Sequence, residues 1–343
     1  MIAATDPAVA AAARERIDQL TKPRGSLGRI EALAVQLCAI AGGLPVHNFE
    51  RRAILVAAGD HGVAAGGVSA YPPEVTAQMV GGFLAGTAAI GAFARAVRAE
   101  VFVANFGVRV PLAAHDRLID VNVGLGTANL ALEPAIARDA VDAVLAAGEA
   151  AYATLRARAA FDVLALGDMG IGNTTSAAAI VAAFTGSPAA SVAGRGTGID
   201  DAGLARKIAA IDAALARCSD FGWDEIASEM GGFEIVGLAG VMLAAARERV
   251  PIVLDGFIVA AAALIAADIE PNVRDYFIAA HRSQEIGHAV ALEALHLEPL
   301  LDLDLRLGEA SGAALALPLV EAAARMVREM KTFAEAGVAT EGT

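Results

Sequence analysis

Six short runs rich in Val, Ile, Leu and Ala restrict the architecture more than any other feature of the chain. They are 52–58 (RAILVAA), 100–105 (EVFVAN), 117–122 (RLIDVN), 162–167 (DVLALG), 251–255 (PIVLD) and 275–280 (DYFIAA). Each has the length and apolar character of a buried strand, and long alanine-rich helical stretches lie between several of them. Strands that alternate with helices predict an α/β fold: an open, mainly parallel, Rossmann-like sheet with helices on both faces. Ligands of such sheets bind beyond the carboxyl ends of the strands. The polar clusters fall at those ends: Gly59-Asp60-His61-Gly62, Asn105-Phe106-Gly107, Asn122-Val123-Gly124, Gly167-Asp168-Met169-Gly170, Asp255-Gly256 and His281-Arg282-Ser283.

The two ends of the chain carry no strand signal. Residues 5–20 and 28–41 are helical in pattern, as are 284–297 and 311–336. This predicts a small helical domain built from both termini, residues 1–30 and 298–343, beside a large α/β domain, residues 31–297.

Composition narrows the partners. Lysine and arginine number 26 against 39 acids, a formal charge of 26 − 39 = −13. Nucleic acid and anionic membranes both require a basic face, so neither is expected. The two longest uncharged apolar runs are taken as 235–246 and 256–267, each 12 residues and bracketed by charge. A membrane-spanning helix needs about 20 residues, so these read as buried helices. The first residues, MIAATDPAVAAAARERIDQL, have early acids and no apolar signal core. Cys38 and Cys218 are isolated and read as reduced. A soluble cytoplasmic protein is expected.

Two glycine clusters stand out. In LALGDMGIGNTTSAAAI (164–180) an apolar run feeds a turn, and Asn173, Thr174 or Thr175 is positioned to cap the helix that follows. Helix amino ends offer unpaired N–H groups and partial positive charge, and glycines admit an anion close to the backbone. Alone, the pattern equally fits a tight turn that needs glycine and a cap. In AGRGTGIDDAGLARK (193–207), Gly194, Gly196 and Gly198 precede a helix beginning near Asp200 or Asp201, and Lys207 could meet a phosphate as a point charge.

Other polar residues are less specific. Asp60 and His61 end a strand, but two residues do not make a metal site. His281, Glu285 and His288 sit at helical spacing and read as satisfied polar groups; no metal and no cofactor is expected. Tyr71, Gln78 and Met79 would suit a flat heterocycle, although core packing explains Tyr71 and Met79 as well. In LRLGEASGAALALPLV (305–320), Glu309 lies among apolar and small residues. Desolvation there raises a carboxyl pKa and makes it a competent base near neutrality. The alternative is an acid placed against a helix dipole.

Taken in order, TKPRGSLGRIE, AAGDHGV with GVSAYPPEVTAQMV, GDMGIGNTTSAAA, GRGTG, VLDGFI and LRLGEASGAALALPL span residues 21 to 320. Together they resemble the nicotinate-nucleotide–dimethylbenzimidazole phosphoribosyltransferases, which build the lower-ligand nucleotide of cobalamin. The resemblance covers nearly the whole chain. It implies transfer of a phosphoribosyl group from nicotinate mononucleotide to 5,6-dimethylbenzimidazole, giving α-ribazole 5′-phosphate and nicotinate. It further implies a homodimer, with Glu309 as general base. It assigns phosphate and ribose to Asp168, Gly170, Gly172, Asn173, Thr174, Thr175, Gly194, Gly196, Lys207, Asp255, Gly256 and Arg306. The base falls to Tyr71, Gln78, Met79, Met169 and Leu307. Many relatives carry Glu where this chain has Asp168, one methylene shorter. Asp168 is therefore expected to shape the loop or bind ribose hydroxyls rather than contact phosphate. The remaining alternatives are a phosphoribosyltransferase for another base and a non-catalytic nucleotide-binding protein on the same scaffold.

Overall fold

A computed structural model describes residues 1–44 and 49–339. All six apolar runs form strands: β1 (Arg52–Gly59), β2 (Glu100–Gly107), β3 (Leu118–Asp120), β4 (Val163–Met169), β5 (Ile252–Leu254) and β6 (Phe277–Ala279). They make one sheet in the order β3-β2-β1-β4-β5-β6, parallel throughout. The order reverses direction between β1 and β4, which is the switch point where doubly wound sheets hold ligands. The run at 275–280 begins late, because Pro271–Tyr276 coils into a 3-10 turn before β6.

Alternate residues of the strands feed two apolar layers. Leu55, Ala57, Leu164 and Leu166 face helices Val141–Arg158, Asn173–Thr185, Phe233–Arg247 and Phe257–Ile269. Ile54, Val56, Val163 and Ala165 face helices Pro7–Gln19, Arg29–Ala41, Val75–Ala85, Ala89–Ala96 and Ser311–Glu329. The predicted helices flanking the sheet are therefore present on both faces. Those near the chain ends share an apolar cluster with the second face, tied by a backbone bridge between Leu20 and Thr332. The predicted 311–336 helix is two: Ser311–Glu329 ends where Met330 turns extended, and Phe333–Ala336 restarts on a Thr332–Glu335 capping box.

Small residues set the helix spacing. A Cβ on Gly148 would lie 2.0 Å from the Gly237 carbonyl oxygen, and one on Gly240 would lie 2.1 Å from that of Leu145. Helices Val141–Arg158 and Phe233–Arg247 thus pack backbone against backbone. This close packing is what a core of alanine, valine and leucine with few aromatics requires.

One apolar stretch is longer than the two expected from sequence. Val75–Ala96 spans 22 residues with mean hydropathy 1.4, enough by length and composition to cross a membrane. Gly86, at φ +71, breaks it into helices of 11 and 8 residues. Each is far below the roughly 20 residues a span needs.

Candidate active site

At the carboxyl end of β4 the chain passes from Asp168 and Met169 into the turn 170–172 and then helix Asn173–Thr185. The expected side-chain cap is absent. Gly172 occupies the cap position with φ +96, and no side chain caps the helix. Asn173 instead donates through Nδ2 to Asp168 Oδ2 at 2.9 Å. The N–H groups of Ile171, Asn173 and Thr175 are engaged by Thr76 Oγ1 (3.1 Å), the Gly170 carbonyl (3.1 Å) and the Gly172 carbonyl (3.0 Å). Among the described residues, none accepts the N–H of Gly172 or Thr174.

The second glycine cluster meets the first through Lys207. This lysine lies on helix Asp201–Leu215, whose cap Asp200 accepts from the Gly203 N–H at 2.8 Å. Its side chain is completely buried. Nζ donates to Thr174 Oγ1 at 2.8 Å and to the Gly194 carbonyl at 3.0 Å. Gly196, at φ +51, leaves the space beside Thr174 and Lys207 open. Burial disfavours the ammonium and lowers the Lys207 pKa to about 8, while the nearby Glu285 carboxylate acts to raise it.

A cavity of about 340 Å³ opens beside this junction. Of the residues expected at phosphate and ribose, Asp168, Gly170, Asn173, Thr174, Gly196, Gly256 and Arg306 line it; of those expected at the base, Tyr71, Met169 and Leu307 do. His281, Ser283 and Glu285 line it too, although their sequence pattern assigns them no role there. Thr175, fully buried, and Gly172 and Gly194, which support the junction, stand behind the wall. Gln78 is exposed and Met79 packs against the second apolar layer; neither lines the cavity. Their helix, Val75–Ala85, touches the site through Thr76 instead.

Three buried carboxyls converge on this end of the sheet. Asp168 has its pKa pushed up to about 8, first by burial and then by the charge of Asp255, with the Asn173 hydrogen bond opposing. Asp255, expected at phosphate or ribose, turns away: Oδ1 accepts from the Ala313 N–H at 2.9 Å, at the start of helix Ser311–Glu329, and lies 3.6 Å from His281 Nε2. Burial also raises the Glu309 pKa; the backbone amide of Ile90 opposes this, and Asp255 adds to it. Glu309 Oε2 has no hydrogen-bond partner among the described residues. Glu309 itself is not in the cavity wall; its neighbour Gly308 and Asp168 are.

The backbone at Glu309 explains its placement. Gly308, Glu309 and Ala310 take φ of +82°, +63° and +66°, three successive left-handed residues. For the two non-glycine residues this conformation is strained and persists only where packing enforces it. Packing does so here: a Cβ on Gly167 would fall 2.1 Å from the Ala310 nitrogen. The glycine that closes the 162–167 run is thus explained by contact with Ala310.

Asp60 and His61, expected to be satisfied polar residues, both have partners. Asp60 Oδ2 accepts from the Arg109 N–H at 2.9 Å, and His61 Nε2 lies 2.6 Å from Glu234 Oε1. Glu234 escapes sequence reading, since an acid in the first turn of an apolar helix looks like a dipole partner. His281, Glu285 and His288 do not share a helix. His281 is in a short strand, β7 (His281–Arg282), paired with β8 (Leu301–Asp302), and only His288 lies within helix Ile286–Leu295. The Ser283 N–H donates to His288 Nδ1 at 2.9 Å, and burial drives that imidazole down to about 3. Among the described residues, no three His, Cys, Asp or Glu side chains are grouped to hold a metal ion.

A parallel sheet flanked by helices, with a cavity beyond the carboxyl ends of its strands and a buried lysine beside it, defines an open α/β protein of the kind that holds ligands at that edge. Residues 2–338 match the family model described as phosphoribosyltransferase. The nicotinate-nucleotide–dimethylbenzimidazole phosphoribosyltransferase of Roseiflexus sp. (strain RS-1) is 53% identical over 335 residues, 97% of this chain and 94% of that one. The enzyme of the same name from Mycobacterium avium (strain 104) is 50% identical, covering 97% and 95%. The crystal structure of CobT from Thermus thermophilus superposes with a TM-score of 0.94 at 50% identity, over 97% of this chain and 99% of that one. The chain belongs to the nicotinate-nucleotide–dimethylbenzimidazole phosphoribosyltransferase family.

Proposed function

We propose that this chain transfers the phosphoribosyl group of nicotinate mononucleotide to 5,6-dimethylbenzimidazole, with inversion at C1′ and Glu309 as general base. The observation that carries the reading is Lys207. A buried ammonium held between Thr174 and Gly194, behind a cavity wall in which Thr174 keeps a free N–H, suits one phosphate monoester.

The chemistry follows from the substrates. Nicotinate leaves as a neutral pyridine, taking the C1′–N electron pair that cancels its pyridinium charge. No pyrophosphate departs, so no metal ion is needed to neutralise a leaving group. Positive charge grows at C1′ as the bond lengthens, as in other oxocarbenium-like transition states. One benzimidazole nitrogen attacks from the opposite face, and the other loses its proton to Glu309. A carboxyl with a raised pKa and an unpartnered oxygen is suited to receive it. Asp168 faces the cavity from the other side of the same backbone link. Held by Asn173, it is assigned to loop shape and ribose hydroxyls. Tyr71, Met169 and Leu307 supply the apolar wall for the flat rings.

The functional unit is read as a cytoplasmic homodimer; the exposed apolar side chains Tyr71 and Leu307, in the cavity wall, and Leu303, earlier in the same segment as Leu307, support the interface. The divisions at 30/31 and 297/298 are retained as the limits of a small helical domain.

The direct test is incubation of the purified protein with nicotinate mononucleotide and dimethylbenzimidazole. Release of nicotinate with formation of an α-linked nucleotide supports the reading. Binding of the nucleotide without turnover would make the protein a sensor on the same scaffold.

A further inference from the structure

His61 and Glu234 form a closed pair at the switch point of the sheet. His61 follows the end of β1 and Glu234 lies in the first turn of helix Phe233–Arg247. Their side chains are 1% and 0% exposed, and Nε2 and Oε1 are 2.6 Å apart. The remaining polar atoms, His61 Nδ1 and Glu234 Oε2, have no hydrogen-bond partner among the described residues. Neither residue lines the cavity.

Glycines from three segments enclose the pair. A Cβ on Gly59 would lie 2.7 Å from Glu234 Oε2, and one on Gly232 would lie 2.4 Å from His61 Cε1. A Cβ on Gly170 would sit 2.9 Å from Glu234 Oε1, 3.2 Å from His61 Cδ2 and 2.5 Å from the Gly59 carbonyl oxygen. Gly172, at φ +96, faces His61 Cβ at 3.4 Å. Gly170 therefore rests directly on this pair, and Gly172 on His61 and its neighbour Ala64. A closed hydrogen bond in a site of low dielectric is strong and directional, and loses its value when either partner is removed.

We infer that His61 and Glu234 are positioning residues: the pair is the rigid floor on which the 170–172 turn is set, and so aims the N–H of Thr174, just beyond that turn, at the nucleotide phosphate. This rests on reading that turn as the phosphate site. Ile171 is tied from above by Thr76, so the turn is clamped on two sides. The pair touches no substrate and acts only through Gly170 and Gly172.

The test compares Glu234→Ala, Glu234→Gln and Lys207→Ala in steady-state kinetics, with inorganic phosphate as competitor against nicotinate mononucleotide. Glu234→Ala should raise the nucleotide KM by about tenfold or more and weaken phosphate inhibition in parallel, leaving the KM for dimethylbenzimidazole within about twofold. Glu234→Gln, which keeps the shape and one hydrogen bond to His61, should recover most of the loss. A purely structural pair would lower the melting temperature and leave both KM values alone, which overturns the proposal. If Lys207→Ala does not weaken phosphate inhibition, the phosphate site itself is misplaced. If Lys207→Ala weakens it and Glu234→Ala does not, only the positioning role fails. Should the Glu234 variants not fold, wild-type protein carries the test. The downfield N–H proton of the His61–Glu234 hydrogen bond should shift when inorganic phosphate is added to ¹⁵N-histidine-labelled enzyme, and an unmoved signal refutes the link.

Discussion

The backbone N–H of Glu309 donates to the backbone carbonyl of Asp168 across 3.3 Å. One hydrogen bond thus joins the carboxylate assigned as base to the strand that opens into the glycine turn. Movement of either segment is felt by the other, and several expected outcomes turn on that link.

Glu309→Gln keeps the volume and a hydrogen-bonding group but cannot accept a proton. The fall in kcat should be on the order of 10²–10⁴, with little change in nucleotide affinity. Because burial raises the Glu309 pKa, the wild-type rate should climb with pH through a value above the ordinary carboxylate range. That limb should vanish in the variant. A variant keeping more than about a tenth of wild-type kcat would reduce Glu309 to a positioning role.

Lys207→Ala should raise the nucleotide KM more than it lowers kcat, since phosphate is held equally before and during bond breaking. In the wild type the lysine pKa lies at about 8, lowered by burial. Above that pH the free enzyme loses its buried cation, so the nucleotide KM should rise with pH. A flat profile from about pH 7 to about pH 10, which spans the lowered lysine value and stays below the ordinary one, would argue against Lys207 at the phosphate.

Gly167→Ala places a Cβ 2.1 Å from the Ala310 nitrogen. Overpacking of this kind costs about 1–3 kcal/mol, and here it pushes the 308–310 segment off β4. The variant should melt lower and lose kcat through displacement of Glu309, with the KM for nicotinate mononucleotide less affected. Paired melting and kinetic measurements decide this; full activity would show that Glu309 does not depend on that contact.

Asp168 provides a test of stability against pH. Its pKa is 3.8 unperturbed and about 8 in the folded chain, so the folded state binds more protons between those values. Its contribution to stability is fully present below about pH 4 and is lost as pH rises towards about 8. Asp168→Asn removes the titration, keeps a partner for Asn173, and should flatten that decline. Melting curves from about pH 5 to about pH 9 read it directly, and parallel slopes in the two proteins would contradict the assignment.

Sequence reading reached the sheet because β-branched runs of strand length are difficult to place anywhere else in a soluble α/β chain. It reached the junction at Lys207 because glycines beside one of only three lysines in an acidic chain are conspicuous. It failed where the deciding contact is distant in sequence. Nothing local marks Glu234 as the partner of His61, 173 residues away. The glycine at 167 looked like part of a turn, yet what requires it is Ala310. Asn173 looked like a helix cap, but Asp168 claimed its amide and Gly172 took the cap with a conformation that only glycine adopts freely. Val75–Ala96 does not stand out among the apolar runs because its glycines and threonines interrupt the apolar pattern while adding no charge.

The bridge between Leu20 and Thr332 sets an order of events in time. Helix Pro7–Gln19 is synthesised long before Ser311–Glu329, the helix leading to its bridge partner. At about 5–20 residues per second, roughly 15–60 s separate the two. Through that interval Ile17 and Leu20, fully buried in the finished molecule, have helix Arg29–Ala41 to pack on but not Ser311–Glu329. The sheet can assemble strand by strand as it is made, whereas the layer covering its second face closes only once Ser311–Glu329 has followed all six strands.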